Sequence, residues 1–179
     1  MFRAMQQQVA GQPWSAAFVA NAARAPTPGG EQKLEPIWIK NYPPGVPATV
    51  ELDAGETLVS LAENSFREYA DRPSFACMGR TLSYRELDQM SRAFAAWLQQ
   101  SGLEPGTRLA IMLPNVLQFP VALFGALRAG MTVVNVNPLY TARELEHQLT
   151  DSGAEAIVIL ANFASVLEKI IDRTSVRTV

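Results

Sequence analysis

From Arg108 to Val179, continuous apolar runs alternate with stretches in which apolar residues recur every three or four positions. The runs RLAIML, MTVVNV, EAIVIL and VRTV are typical of strands buried on both faces of a parallel sheet. The stretches between them predict helices over residues 116–129, 142–152 and 163–174. This alternation predicts right-handed βαβ crossovers, and hence an α/β fold: a partial doubly wound, Rossmann-like parallel sheet flanked by helices.

Residues at the predicted helix ends support these limits. Thr141 and Glu144 have the spacing of a capping box before the helix 142–152, and Gly153 follows its end. We also predict that Asn115 caps the preceding helix, in which Pro120 must lie in the opening turn or produce a kink.

The segment before this sheet predicts smaller elements. Thr57 is a predicted N-cap of one helix, and Ser83 with Glu86 forms a capping box for a second helix that ends at Gly102. Between the two helices, Gly79 is predicted as the first central residue of a type II′ hairpin turn.

The N-terminal region has a different composition. Residues 1–35 are rich in Ala, Gln, Pro and Gly and predict a mobile extension, because they bury little apolar surface. Residues 36–179 are predicted to form the folded domain, and they begin with a proline-rich extended strip that carries Trp38 and Tyr42.

Composition limits the function. The 179 residues carry a formal net charge of -2, which offers no electrostatic surface for nucleic acid. Cys77 is the only cysteine and is predicted as a small buried residue, and His147 is predicted to lie on a solvated helix face. A single cysteine fits a protein of the reducing cytoplasm. No apolar run approaches the length of a membrane span.

Residues that could perform chemistry are scarce. The chain has no G-x-G-x-x-G, no G-x-x-x-x-G-K-[ST] and no H-E-x-x-H. Gly125 and Gly130 have the spacing of a phosphate-loop glycine pair, but Met131 follows, so close packing and a helix C-cap explain them. We predict no catalytic residue and no metal ligand.

One polar group lies at a strand end, where ligands of parallel sheets bind. Turn and cap chemistry is one interpretation of this group, and the lining of a ligand channel is the other. Its members are Asn135, Asn137, Tyr140 and Thr141.

Two motifs carry a family resemblance. LSYREL, Leu82 to Leu87, and LRAG followed by VVNVNP, Leu127 to Pro138, match the first two core motifs of adenylate-forming enzymes, the AMP-binding group of acyl-CoA synthetases, luciferases and peptide-synthetase adenylation domains. The stretch NPLYTARELEHQLTDSGAEAIV resembles bacterial long-chain fatty-acid CoA ligases. The resemblance covers residues 36–179, the N-terminal part of such an enzyme.

The resemblance implies that a full-length parent uses ATP, Mg²⁺ and CoA to convert a fatty acid to an acyl-adenylate and then to an acyl-CoA. The family's phosphate loop and catalytic lysine would lie beyond Val179, so this segment is expected to be an inactive scaffold that binds none of these cofactors. Peripheral membrane contact and a homodimer formed through the strip around Trp38 are further expectations. The alternatives are a related aryl or acyl ligase, or a non-catalytic binding or dimerisation module.

Overall fold

The computed structural model describes residues 36–51 and 55–179, so the predicted extension 1–35 lies outside the described residues. The chain divides into two units, one ending at Glu56 and the other containing Thr57–Val179. In the described part of the first unit a 3-10 turn, Ile39–Asn41, follows Trp38, where only extended backbone was predicted. The backbone of Tyr42 is extended, and both aromatic side chains are exposed.

The second unit begins with two capped helices around a hairpin. Helix α1, Leu58–Glu68, starts at Thr57, whose side chain accepts a hydrogen bond from the Ser60 backbone as the predicted N-cap does. Helix α2, Tyr84–Gln100, starts with the predicted capping box of Ser83 and Glu86. The predicted beginnings of both helices are therefore confirmed.

The hairpin consists of the antiparallel strands β1, Pro73–Cys77, and β2, Arg80–Ser83. Cys77 pairs with Arg80, so the two central turn residues are Met78 and Gly79, with φ of 50° and 74°. Two positive φ angles define a type I′ turn, and the predicted type II′ turn was wrong by one residue. The pairing places Leu82 in a buried position, which fixes the register.

Met78 is a conformationally strained residue in this turn, since a left-handed backbone is costly for methionine and well tolerated by asparagine. The substitution Met78→Asn is expected to raise the free energy of unfolding by about 0.5–1 kcal/mol. The Met78 side chain is 94% exposed, so no packing is lost. Urea denaturation followed by circular dichroism measures the effect. Met78→Ala is the control, because alanine lacks the left-handed preference, and equal effects of both substitutions would contradict the strain.

The central sheet has three parallel strands: β3, Arg108–Met112; β4, Thr132–Asn135; and β5, Ala156–Ile159. Their order is β4-β3-β5, with both neighbours parallel to β3. The predicted parallel α/β sheet is confirmed. The strand of this sheet that comes first along the chain, β3, thus lies in the middle, which explains why all four residues Leu109–Met112 are buried.

Helices cover the two faces of this sheet. Helix α3, Gln118–Arg128, connects β3 to β4 and packs with α2 against the face that contains Leu109 and Ile111. Helix α4, Ala142–Ser152, connects β4 to β5 and packs against the face that contains Ala110 and Met112. The two connections run in opposite directions over opposite faces, as two crossovers of one hand require.

The start of α3 was predicted only in part. Pro120 lies in the first turn of α3, as expected, but Leu117 occupies the N-cap position and Asn115 makes no cap. The backbone carbonyl of Asn115 instead accepts a hydrogen bond from Cys77 Sγ at 3.3 Å. Cys77 is half-exposed rather than buried, because β1 belongs to a two-stranded sheet outside the main core.

The last predicted helix, 163–174, is wrong in extent. The structure has a 3-10 turn at Ala161–Phe163, a short helix α5 at Ala164–Glu168 and another 3-10 turn at Ile171–Arg173. The β-branched pair of Ile170 and Ile171 disfavours a continued α-helix, and Arg173 is held by an ion pair to α4.

The predicted strand VRTV forms one bridge and no ladder. Thr178 bridges to Ala156 in the parallel sense, and the Ile157 amide donates to the Thr178 carbonyl at 2.9 Å. The direction of pairing is as predicted, and the segment lies beside β5 on the side away from β3.

Candidate functional site

The strand order places the point of winding reversal between β3 and β5. The connection after β3 leads to β4 on one side, whereas the connection after β5 leads to Thr178 on the other side. In open parallel sheets, ligands bind beyond the carboxyl ends of two such strands. The segments there are 113–115 and 160–162, and Asn115 and Asn162 are exposed in them.

The predicted polar group lies elsewhere on the same edge, after the outer strand β4. Asn137 Oδ1 accepts a hydrogen bond from the Leu139 amide at 3.0 Å, and the Asn137 carbonyl accepts one from the Tyr140 amide at 3.1 Å. The Asn135 carbonyl accepts a hydrogen bond from Gln148 Nε2 of α4 at 2.9 Å. These contacts fold the connection between β4 and α4 into a compact turn.

Thr141 ends this turn by capping α4. Its hydroxyl accepts from the Glu144 amide, and its own amide donates to Glu144 Oε2 at 2.8 Å. Hydrogen bonds from the Thr141 backbone and side chain lower the pKa of the Glu144 carboxyl. The carboxylate at the N-terminus of α4 is therefore committed to the cap, and a proton-transfer role is not indicated.

The structure brings the four predicted residues together within one connection, but not at the reversal point. The side-chain oxygens of Asn137 and Thr141 form hydrogen bonds within the turn and the cap. The side-chain amide of Asn135 and the hydroxyl of Tyr140 take no part in these hydrogen bonds. Tyr140 is half-buried against the core beneath α4. The sequence places Asn115 and Asn162 in turns that follow predicted strands, and neither turn is rich in glycine. Only the strand order shows that these two turns flank the reversal point.

The described part of the chain contains no group of possible metal ligands and no helix that could cross a membrane. Within residues 36–51 and 55–179, no three His, Cys, Asp or Glu side chains are grouped to hold a metal ion. His147 is exposed on α4, as predicted. Across the same ranges, no helix is both long and apolar enough to cross a membrane.

A largely buried arginine side chain holds three helices together. The side chain of Arg128 is 8% exposed and lies at the end of α3. Its guanidinium donates to Asp88 Oδ1 at 2.5 Å, to Ser91 Oγ at 2.7 Å and to Glu63 Oε1 at 3.3 Å. It also lies 5.0 Å from the centre of the Phe66 ring. The arginine of the LRAG motif is therefore a structural connection among α1, α2 and α3.

Gly125 is one of the two glycines that have the spacing of a phosphate loop, and it lies where α3 meets α2. A Cβ atom there would lie 2.7 Å from Phe94 Cδ1 and 2.9 Å from the Ser91 carbonyl oxygen. Gly130 has φ of 78° just past the helix end. Close packing and a C-cap thus account for the pair, as predicted.

The comparisons with known proteins agree with this architecture. The family model described as AMP-binding enzyme matches residues 62–179, which is more than half of the chain. The chain belongs to the AMP-binding enzyme family. This confirms the resemblance indicated by LSYREL and LRAG, and it assigns the parallel sheet and the Arg128 connection to an AMP-binding domain.

Among relatives, a long-chain-fatty-acid CoA ligase of Yersinia pestis is 57% identical over 147 residues, 82% of this chain and 26% of the relative. The chain thus spans about a quarter of the length of this relative. Among solved structures, a benzoate CoA ligase from Burkholderia xenovorans LB400 matches with a TM-score of 0.63 and 23% identity, over 67% of this chain and 24% of that chain. A long-chain-fatty-acid CoA ligase from Archaeoglobus fulgidus matches with a TM-score of 0.61 and 20% identity, over 68% and 26%. These two structural likenesses support the fold.

Proposed function

We propose that this chain serves as the amino-terminal scaffold of a long-chain-fatty-acid CoA ligase. The whole enzyme converts a fatty acid and ATP to an acyl-adenylate and pyrophosphate, and CoA then displaces AMP to give the acyl-CoA. The observation that carries this proposal is the 57% identity to the Yersinia pestis ligase over 147 residues. The benzoate ligase from Burkholderia xenovorans LB400, at 23% identity, supports the fold alone, so we favour a fatty acid over an aryl acid.

The described residues contribute support rather than bond-making groups. A phosphate chain needs a glycine-rich loop or a cluster of cations, and Mg²⁺ in nucleotide enzymes is held by one or two carboxylates together with substrate phosphates and water. None of the turns after β3, β4 and β5 is rich in glycine, and the Glu144 carboxylate at this edge of the sheet is held in a cap. We therefore assign the nucleotide and metal contacts of the enzyme to residues outside those described here.

What these residues contribute to the enzyme is the edge of the sheet at the carboxyl ends of β3, β4 and β5. We propose that the channel by which substrates approach the enzyme is lined at this edge by Asn135, Asn137, Tyr140 and Thr141. The Asn137 and Thr141 hydrogen bonds fix the path of the turn. Among these four residues, the side-chain amide of Asn135 and the hydroxyl of Tyr140 are then the groups that can bind a polar ligand. A cytoplasmic location is part of the same proposal, since the proposed substrates ATP and CoA are intracellular.

The test uses two proteins. The first is the 179-residue chain, which we expect to show no palmitate-dependent exchange of pyrophosphate into ATP. The second is a hybrid in which the aligned 147 residues of the Yersinia pestis ligase are replaced by those of this chain. We expect the hybrid to form palmitoyl-CoA, because more than half of the exchanged residues are identical. Exchange by the short chain, or a folded hybrid without activity, would contradict the scaffold function.

A further inference from the structure

A cleft lined by charged side chains runs between α1 and α2. Arg92 of α2 contacts Glu63 of α1, whereas the Arg85 amide donates to the Ala70 carbonyl at 2.8 Å. The two helices are therefore antiparallel along the cleft. The ring of Phe66, which is 5% exposed, lies at its base, and three arginines and two carboxylates line it.

The three arginines form a row along this cleft. Arg85 and Arg92 are two helical turns apart on α2, a distance of about 10 Å along the helix axis. Arg67 lies on α1 between Glu63 and Ala70, the residues that contact α2. The antiparallel arrangement therefore places Arg67 between Arg85 and Arg92. The middle of the cleft is within reach of all three guanidinium groups.

Arg67 carries the unpaired charge of this row. Its Nη2 donates to the neutral side chain of Asn64, and no carboxylate of the described residues forms an ion pair with it. Around the cleft, four arginines face three carboxylates, which leaves one positive charge in excess in a chain whose formal net charge is -2. These groups are Arg67, Arg85, Arg92 and Arg128, against Glu63, Asp71 and Asp88.

The two outer arginines of the row are paired and still have N–H groups that make no hydrogen bond within the described residues. Arg85 uses Nε and Nη2 for Asp71, so its Nη1 is left over. Arg92 uses Nε for Asp88, so both of its terminal nitrogens are left over. The buried Arg128 also binds Asp88, which reduces the repulsion between that carboxylate and an incoming anion.

Phosphate suits these donors better than a carboxylate does. A carboxylate brings one charge and two oxygens, as Asp71 and Asp88 already do, whereas a phosphate brings up to two charges and three oxygens that match guanidinium forks. Because the row is about 10 Å long, it can hold two phosphate groups at once. We propose that the cleft between α1 and α2 is a binding site for a small soluble anion that carries two phosphate groups, with Arg67 as its central contact.

This site is separate from the edge of the sheet at which the substrate channel is proposed. Helix α3 begins beyond the carboxyl end of β3 and ends before β4 begins, so Arg128 lies near the amino ends of the strands. Its hydrogen bonds to Glu63 and Asp88 place that end of the cleft on the same side. The cleft is therefore not the nucleotide site of the proposed reaction, and its ligand is an additional one.

The experiment is calorimetric titration of the 179-residue chain with sodium pyrophosphate at low ionic strength, where screening is weak. We expect saturable binding that is tighter than the binding of inorganic phosphate. Arg67→Gln is expected to weaken pyrophosphate binding by on the order of tenfold, because it removes charge-assisted hydrogen bonds. Arg67→Lys keeps the charge without the planar fork and should weaken binding less. Arg67→Lys also decides the question if circular dichroism shows that Arg67→Gln is unfolded.

Two further variants separate the cleft from the overall charge. Asp71→Asn releases two donors of Arg85 and is expected to tighten pyrophosphate binding by about threefold. The Asp71 side chain is 85% exposed, so the fold should persist. Arg143→Gln, at an exposed residue of α4 on the opposite face of the sheet, changes the net charge as Arg67→Gln does and should leave binding unchanged.

Several outcomes would overturn the inference. Equal losses in Arg67→Gln and Arg143→Gln would mean that net charge, rather than the cleft, attracts the anion. Inorganic phosphate that binds as tightly as pyrophosphate would exclude a ligand with two phosphate groups. A hexaglutamate peptide that binds as tightly as pyrophosphate would assign the cleft to an acidic polypeptide, and binding only to phosphatidic acid vesicles would assign it to a membrane. Because the titration measures binding to this chain alone, its result is independent of the activity of the hybrid ligase.

Discussion

The substitution Arg128→Met is expected to lower the free energy of unfolding by about 2–4 kcal/mol. Methionine fills much of the space of the arginine stem but cannot donate to Asp88, Ser91 or Glu63. The two carboxylates would lose their buried partner. The effect is below the ~3–5 kcal/mol typical of a fully buried pair because Asp88 and Glu63 keep partial access to water. Urea denaturation followed by far-ultraviolet circular dichroism measures the loss.

Arg92 provides the matched control, since it pairs with the same two carboxylates from the exposed side. Arg92 Nε lies 3.0 Å from Asp88 Oδ1, and its side chain is 58% exposed. Arg92→Met is expected to cost about 0.2–1 kcal/mol. If the two substitutions had equal effects, burial of the Arg128 guanidinium would not be the source of its stabilisation.

Arg128 also shows what the sequence could not reveal. Arg128 interrupts an apolar stretch of the sequence at the end of α3, and a charged residue at such a position is usually exposed to solvent. Its partners Asp88, Ser91 and Glu63 lie 40, 37 and 65 residues away along the chain. Only the packing of α1, α2 and α3 brings them together, so local periodicity could not identify this connection.

The accurate predictions depend on local chemistry. The capping box of Thr141 and Glu144 needs residues three positions apart and a helix that follows, and helix α4 begins and ends where it was predicted. The parallel sheet was predictable because burial on both faces imposes uniformly apolar runs such as Leu109–Met112. Both signals are contained in one stretch of sequence.

The errors arise where distant contacts select between local alternatives. Both Met78-Gly79 and Gly79-Arg80 could form a two-residue turn, and the burial of Leu82 by pairing with Phe75 selects the first. The order of the strands likewise could not be inferred from the sequence of any single βαβ unit. The candidate residues after β4 lie at the edge formed by the carboxyl ends of the strands, one strand away from the reversal point, and their role in lining a channel stays a prediction.

The substitution Gly125→Val is expected to lower the free energy of unfolding by about 3 kcal/mol or more. The Cβ alone would lie 2.9 Å from the Ser91 carbonyl oxygen, which belongs to the backbone of α2 and cannot move without the helix. It would also lie 2.7 Å from Phe94 Cδ1, so the Phe94 ring would have to leave its stack on Trp97. A gain of up to ~1 kcal/mol from replacing glycine within a helix does not offset this overlap.

Two further substitutions serve as controls. Gly125→Ala should have a stability between those of the wild type and Gly125→Val. Gln118→Val, at an exposed position of the same helix, should lower the free energy of unfolding by a few tenths of a kcal/mol. Thermal unfolding followed by far-ultraviolet circular dichroism measures both effects. If Gly125→Val left stability unchanged, the close approach of α2 and α3 would be incorrect, and with it the placement of Phe94 and Trp97 beside β5.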